Sequence, residues 1–438
     1  MTSPLLGAPD ADFRSGAETP SQRLAAHLDR IDRRESEVRA FVHLETEAAI
    51  AAAAASSERW LRGEPLSALD GTVIGVKDVI ETGDMPTGQG SPIWAGFRSN
   101  RDAAAVQALR QAGAIILGKT TTTEFAATHV FAGTTNPHDA ARTPGGSSSG
   151  SAAAIGAGFV RGALGTQVVG SVLRPSSYCG AVGFKPSFGA LNRGGSYDQL
   201  SQSCIGTLGT TLDDAWAIAG TIAARVGGDP GHRALKGGDA LPAAKAPRRL
   251  ARLDTAGWDI AEPAAKAAFQ AELELWQSRG VEIVRRAYRP DLDALENDLA
   301  EALALTQRIL AWEFVWPMGS YRRDGLSETM AKRLDVARDM TVADYEAALD
   351  RRAAIRARFA EIAAGVDGFI ALAATGPAPL GHASTGNPAM NVPASLLGTP
   401  ALSLPLLNVD GLPLGLQLIG KAGGDAELMA LARWRLEF

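Results

Sequence analysis

The chain has 438 residues, 46% of them hydrophobic and 21% charged, with a formal net charge of −5. That composition builds a sizeable globular core, and its acidic balance argues against a polyanion-binding surface, so nucleic acid is not expected as a partner. Two cysteines, Cys179 and Cys204, make no disulfide framework. The first residues lack a cationic start and a long apolar run, and no window approaches about 18 uninterrupted apolar residues. No signal peptide or membrane span is expected, and the expected location is the cytoplasm.

Residues 20–62 read as helix, interrupted near residues 34–37, because LAAHLDRI and the alanine-rich run after it are strong helix formers. This lead-in is expected on the outside of the main body. From Leu69 the pattern changes. TVIGV, residues 72–76, is a short β-branched strand, and Lys77 and Asp78 follow it directly. An ammonium at the end of a buried strand is costly unless partnered. Lys77 is therefore either a buried functional group or a surface partner of Asp78 or Glu81. Asp102 is placed to cap a helix made of AAAVQALRQA and closed by Gly113, after which AIIL is a strand. Residues 113–120, GAIILGKT, match the phosphate-binding pattern G-x-x-x-x-G-K-[ST]. That loop must follow a strand, whereas here the intervening residues are the strand, so nucleotide binding is rejected.

Gly, Ala and Ser fill most of residues 143–186, yet GFV, ALG and AVGF are apolar segments of an ordered core and not of a linker. Glycine in such numbers costs conformational entropy, which a backbone that must come very close to something would explain. Ser147 to Ser149 and Ser171 lie here, and this is where chemistry is expected. Downstream, Thr210 or Thr211 caps a helix with Asp213 and Asp214 in its first turn. Residues 227–247 read as a surface connection, followed by a strand–helix–strand unit of RRLARL, residues 264–279 and VEIV. Residues 291–363 are helical, with a capping box at Thr341 and Asp344 and an apolar face of Tyr345, Leu349, Phe359 and Ile362. Trp312, Phe314, Trp316 and Tyr321 either fill core or wall a pocket. ALSLPLL and GLQLIG read as the last strands of a sheet. Basic pairs such as Arg33-Arg34 and Arg351-Arg352 read as solvated helix faces. Strands and helices alternate throughout, so the fold class is α/β.

None of the six histidines lies in the serine-rich stretch. Residues 146–150 match the G-x-S-x-G elbow centred on Ser148, but that elbow needs a strand immediately before it, and NPHDAARTPGG is a turn-rich loop. Taken in order, GVKDVI, ILGKTTTTEFA, NPHDAARTPGGSSSGSAAA, GTQVVGSVLRP and CGAVGFKPSFG resemble the amidase signature family. ASTGNPAMN, SLLGTPALSLP and GLPLGLQLIG extend the likeness, which covers roughly residues 22–220 and 366–435. The resemblance implies a large mixed β-sheet core covered by helices on both faces. It implies one domain over residues 1–438, with residues 1–62 as the helical lead-in and residues 225–365 as a variable helical segment over the active site.

The resemblance also implies roles. Ser171 would be the acyl-accepting nucleophile, Ser147 the bridging serine on a cis peptide and Lys77 the base, with no metal and no cofactor. The N–H groups of Val168, Val169, Gly170 and Ser171 would bind the oxyanion. The chemistry is coherent in itself: a serine hydroxyl needs a base within hydrogen-bond reach, and a lysine serves if burial lowers its pKa toward neutrality. The nucleophile loop departs from the family's common G-T-D-T-G-G-S-I-R. Gln167 replaces the aspartate, Val168-Val169 replaces Thr-Gly, and Arg174 stands one place late. This form is similar to the malonamidase-like branch, whose shifted arginine meets a substrate carboxylate; Arg174 either does so or makes an internal ion pair. Of the two stiff valines, at least one is expected to narrow the acyl side.

The first functional expectation is hydrolysis of the C–N bond of a small linear, non-peptide amide, with acid-bearing amides among the candidates. The alternative is an amidotransferase A-type subunit that releases ammonia from glutamine for tRNA-dependent amidation and needs partner subunits. A degenerate binding protein is the third, opposed by the presence of Lys77, Ser147 and Ser171. A small-molecule amide is the expected partner, and a homodimer stays open.

Overall fold

A computed structural model describes residues 3–129, 133–196, 200–319 and 323–438. In chain order its strands are β1 (Phe41–Leu44), β2 (Val73–Lys77), β3 (Ile115–Thr120), β4 (Gly162–Gln167), β5 (Val182–Lys185) and β6 (Cys204–Gly209). They continue with β7 (Arg249–Arg252), β8 (Glu282–Val284), β9 (Gly368–Leu372), β10 (Ala401–Val409) and β11 (Leu412–Ile419). All join one sheet in the order β1-β3-β2-β4-β6-β5-β10-β11-β9-β7-β8. Pairing is parallel in β2–β3, β2–β4, β7–β8 and β7–β9 and antiparallel elsewhere, so the sheet is mixed.

The helices are α1 (Ala11–Ser15), α2 (Pro20–Val38), α3 (Thr46–Leu61), α4 (Ala104–Gln111), α5 (Ser149–Gly156), α6 (Leu173–Cys179) and α7 (Leu212–Val226). After these come α8 (Pro263–Ser278), α9 (Pro290–Leu299), α10 (Ala302–Gly319), α11 (Glu328–Ala337), α12 (Val342–Ala363), α13 (Val392–Leu397) and α14 (Asp425–Leu436). Side chains alternate across a strand, and the core divides accordingly. Ile74, Val76, Ile116, Ile370 and Leu372 pack with α4, α7, α8 and α14 on one side. Val73, Ile115 and Leu117 meet α2, α3 and α5 on the other, where Phe369 and Ala371 meet α9, α10, α12 and α13. Helices therefore cover both faces, as the resemblance implied. No described helix is long and apolar enough to cross a membrane.

Small residues let α5 lie almost against the sheet. A Cβ at Gly150 would sit 2.1 Å from the Ala40 carbonyl and 2.4 Å from the Thr121 amide, so only glycine fits.

Several local expectations need correction. The lead-in helix is interrupted at residues 39–45, not 34–37. Arg39 turns left-handed (φ 52) and Phe41–Leu44 becomes an edge strand on β3, with Glu35 still helical and accepting the Phe41 amide at 2.8 Å. Asp102 does not cap α4. Its carboxylate accepts the Gly83 amide at 2.8 Å, and Ala103 takes the N-cap place. Arg352 is buried rather than solvated and donates to Ser201 Oγ at 2.9 Å. The capping box expected at Thr341 is present, and of the two threonines offered for α7, Thr211 makes it. Tyr321 lies outside the described residues.

His27 ties α2 to the main body: it is buried, its Nδ1 lies 2.9 Å from the Gly158 carbonyl, and burial lowers its pKa from 6.5 to about 4. The unfolded chain thus binds this proton more tightly, so the stability held above pH 6.5 is lost as pH falls toward 4. Between about pH 7 and pH 4, urea denaturation should show this group's share as a loss on the order of 3 kcal/mol in the wild type. His27→Gln should lack that share, and equal pH slopes for both proteins would refute the assignment.

Candidate active site

Lys77 ends β2 on the same face as Val73, the face that meets α5. It has no exposed surface. Its Nζ donates to Ser147 Oγ at 2.7 Å, to Thr166 Oγ1 at 2.8 Å and to the Thr166 carbonyl at 3.4 Å. Thr166 belongs to β4, the parallel neighbour of β2. Ser147 follows a cis peptide bond from Gly146 and leads into α5. The acids offered as surface partners of Lys77 are engaged elsewhere. Asp78 lies 3.6 Å from buried Lys119 and accepts the Gly88 amide, while Glu81 pairs with Arg101 at 2.6 Å. Burial raises the Asp78 pKa and lowers that of Lys119 to about 8. Lys119, from the phosphate-loop-like text, lies within β3 and donates to the Ile80 carbonyl and Thr87 Oγ1, both at 2.7 Å. Ser148, centre of the elbow pattern, is fully buried, and its Oγ donates to the Thr166 carbonyl at 3.3 Å.

Between β4 and α6 the backbone from Val168 to Ser171 is bonded on one side only. All four carbonyls are taken: Val168 by Gln202 Nε2 at 2.9 Å, Val169 by Ser395 Oγ at 2.9 Å, Gly170 by the Arg174 amide at 3.0 Å and Ser171 by the Ser148 amide at 3.2 Å. None of the four amides donates to an acceptor among the described residues. Gln167, in place of the family's aspartate, accepts the Val172 and Leu173 amides at 2.8 and 3.0 Å and so holds the start of α6.

Ser147, Ser171, Val168, Val169 and Arg174 share a cavity of about 290 Å³. Leu310 and Phe314 of α10 and Arg333 of α11 close it from the far side. Arg174 is buried; its Nε donates to the Thr385 carbonyl at 2.7 Å and one terminal nitrogen to the Gly146 carbonyl at 2.8 Å. The other terminal nitrogen has no partner among the described residues. Arg333 lies with its guanidinium 5.8 Å over the Phe314 ring, burial lowers its pKa, and no carboxylate among the described residues pairs with it. Of the four aromatics singled out in sequence, Phe314 walls the cavity, Trp312 stacks on Tyr345 at 5.8 Å and Trp316 is exposed. Sequence reading passed over Thr166, Gln202, Arg333 and Ser395. Thr166 and Ser395 stand inside stretches quoted for the resemblance, GTQVVGSVLRP and SLLGTPALSLP, but nothing local marks their contacts; Ser395 bonds Gln167 from 228 residues away.

A family model described as Amidase matches residues 22–429. The chain belongs to the amidase family. This amidase is 34% identical to the A-type subunit of the glutamyl-tRNA(Gln) amidotransferase of Chloroflexus aggregans, over 97% of this chain and 94% of that one. Its counterpart in Myxococcus xanthus is 31% identical over 97% and 94%. Among solved structures, one described as an amidase superposes with a TM-score of 0.82 at 27% identity, covering 97% of both chains. An inhibitor-bound structure from a vestigial protein complex, described as revealing the evolutionary origins of an s-triazine catabolic enzyme, superposes at 0.84 with 26% identity over 98% of both.

The bonds of Lys77 predict a graded response at Thr166. Thr166→Val keeps the shape but removes an acceptor from a buried amine, and should lower unfolding free energy by about 1–3 kcal/mol in chemical denaturation. Thr166→Ser, which keeps Oγ, should recover most of it. Little loss in Thr166→Val beside a larger loss in Thr166→Ser would mean that packing of the methyl group, and not the bond to Lys77, sets the effect.

Proposed function

We propose that this amidase hydrolyses the C–N bond of a small linear amide through an acyl-enzyme on Ser171, with Ser147 bridging and Lys77 as base. The observation that carries this is the 2.7 Å bond from Lys77 Nζ to Ser147 Oγ beside a cavity that Ser171 also lines. Neutral Lys77 takes the Ser147 proton, Ser147 takes that of Ser171, and Ser171 Oγ attacks the amide carbon. The tetrahedral oxyanion is held by the uncommitted amides of Val168, Val169, Gly170 and Ser171. Protons return by the same route to the departing amine, and water then cleaves the ester. Residues 1–438 act as one domain in this reading, with residues 225–365 shaping the far wall of the site. At least one of Val168 and Val169 narrows the acyl side.

An acid-bearing amide is favoured as substrate. The cavity holds two guanidinium groups that keep capacity for an anion, Arg333 as a whole and Arg174 through one terminal nitrogen. A carboxylate bridging them would gain charge-assisted bonds away from water. The second reading, in which the chain releases ammonia from glutamine within a multi-subunit amidotransferase, is supported by the names of the relatives in Chloroflexus and Myxococcus. Glutaminase activity and co-purifying subunits in a pull-down would favour it over a free-standing hydrolase.

Ser171→Ala should abolish ammonia release from an amide panel, by a factor on the order of 10⁴–10⁶, while Ser148→Ala stays active. The reverse pattern would restore the elbow reading. Lys77→Ala should lose orders of magnitude and also the alkaline-rising limb of the wild-type pH profile. Arg333→Ala should raise KM for an acid-bearing amide roughly 10- to 100-fold with little change for its neutral analogue, whereas Arg174→Ala, which also removes the bonds to Gly146 and Thr385, should slow both substrates and weaken binding of the acid-bearing one in addition. Equal effects on both substrates would sink the carboxylate assignment.

A further inference from the structure

The only cis peptide among the described residues is Gly146–Ser147, so the peptides joining Val168 to Ser171 are trans. In a trans peptide the carbonyl and the next residue's N–H point in opposite directions. A donor fixed on the carbonyl therefore aims the following amide. Gln202 Nε2 on the Val168 carbonyl aims the Val169 amide, and Ser395 Oγ on the Val169 carbonyl aims the Gly170 amide. We propose that Gln202 and Ser395 are positioning residues that turn these two amides toward the oxyanion from behind the loop. This rests on the reading of Ser171 as nucleophile.

Both donors have a defined polarity. Gln167 Oε1 is occupied by two backbone amides, so its Nε2 is the atom that donates to Ser395 Oγ at 3.0 Å. With its lone pair taken from that side, the single hydroxyl hydrogen of Ser395 goes to the Val169 carbonyl. Gln202 is set in the same manner. Arg352 can only donate, so it faces Gln202 Oε1 at 3.4 Å and leaves Nε2 for the Val168 carbonyl. Gln167, Gln202 and Ser395 are all buried.

The device answers a local weakness. Valine resists positive φ, but Gly170 does not, so the Val169–Gly170 peptide is the one most free to flip. Its carbonyl is the one that Ser395 holds. An aspartate at position 167 could not donate to Ser395, whose hydroxyl would then turn to the carboxylate. The glutamine thus frees the Ser395 hydrogen for the loop.

The test uses a small alkyl fluorophosphonate, whose phosphoryl oxygen must enter the oxyanion site as Ser171 attacks, on wild type, Ser395→Ala, Ser395→Thr, Gln167→Glu and Gln202→Met. Inactivation rate at saturation should fall roughly tenfold or more in Ser395→Ala, Gln167→Glu and Gln202→Met, since aimed oxyanion donors act in the transition state. In Ser395→Ala and Gln202→Met, which add no charge, the half-saturating concentration should stay within about twofold and the apparent pKa of labelling should not move, because binding and the Lys77–Ser147 pair are untouched. Ser395→Thr should label at nearly the wild-type rate. Unchanged saturating rates, or a rate loss matched by weaker binding and a moved pH profile, would overturn the proposal. If Ser395→Ala fails to fold, Gln202→Met decides. Labelling of Ser171→Ala at the wild-type rate would instead overturn the nucleophile assignment, which is a separate result.

Discussion

A lysine with no exposed surface is the constraint around which this fold is arranged. An ammonium or amine taken from water loses several kcal/mol of hydration unless donors and acceptors are supplied around it. Lys77 finds oxygen acceptors on two neighbouring structures, Thr166 on β4 and Ser147 at the entry to α5. Those acceptors must converge within hydrogen-bond reach of one nitrogen. That requirement sets how close α5 and the chain before it come to the sheet.

The composition of α5 follows from that closeness. SGSAAAIG has no side chain larger than isoleucine, and Gly150 lies where any Cβ would meet backbone of both β3's exit and the β1 lead-in. A larger residue anywhere along the inner face would lift the helix and draw Ser147 from Lys77. The same logic extends to Arg174. By donating to the Gly146 carbonyl and to Thr385, it ties α6 to the peptide that precedes Ser147 and to the segment before α13. Arg174 therefore has a structural share in the site whatever its terminal nitrogen binds.

The elements that chemistry writes locally were legible in the sequence. Thr341 with Asp344, the β-branched run before Lys77 and the last two strands all follow from patterns spanning a few residues. The family text singled out Lys77, Ser147 and Ser171 as the candidate site, and the structure brings Lys77 to Ser147 beside a cavity that Ser171 also lines. Errors arose where a side chain chose a distant partner. Asp102 looked like a cap but serves Gly83, and Arg352 looked solvated but is drawn inward by Ser201 and Gln202. FVHL was absorbed into a helix because its pairing partner, β3, lies more than seventy residues away. Arg333 was invisible for the same reason: nothing in AKRL says which wall the helix will face.

Gln167 shows how a substitution noticed in sequence gains meaning only from its surroundings. An aspartate could cap α6 as well as the glutamine does, since both offer an oxygen to the Val172 and Leu173 amides. The difference lies in the other half of the group. Glutamine adds a donor where aspartate has a second acceptor, which reverses the polarity of the contact with Ser395 and so of the contact between Ser395 and Val169. It also removes a negative charge from behind the loop, where, in the proposed reaction, a carboxylate would oppose the charge of the oxyanion. The neutral residue thus holds the helix and aims the hydroxyl that braces the loop, and in the proposed reaction it leaves the field at the oxyanion unopposed. In a loop that carries two valines and only one glycine before the serine, those three consequences act on the same few peptides.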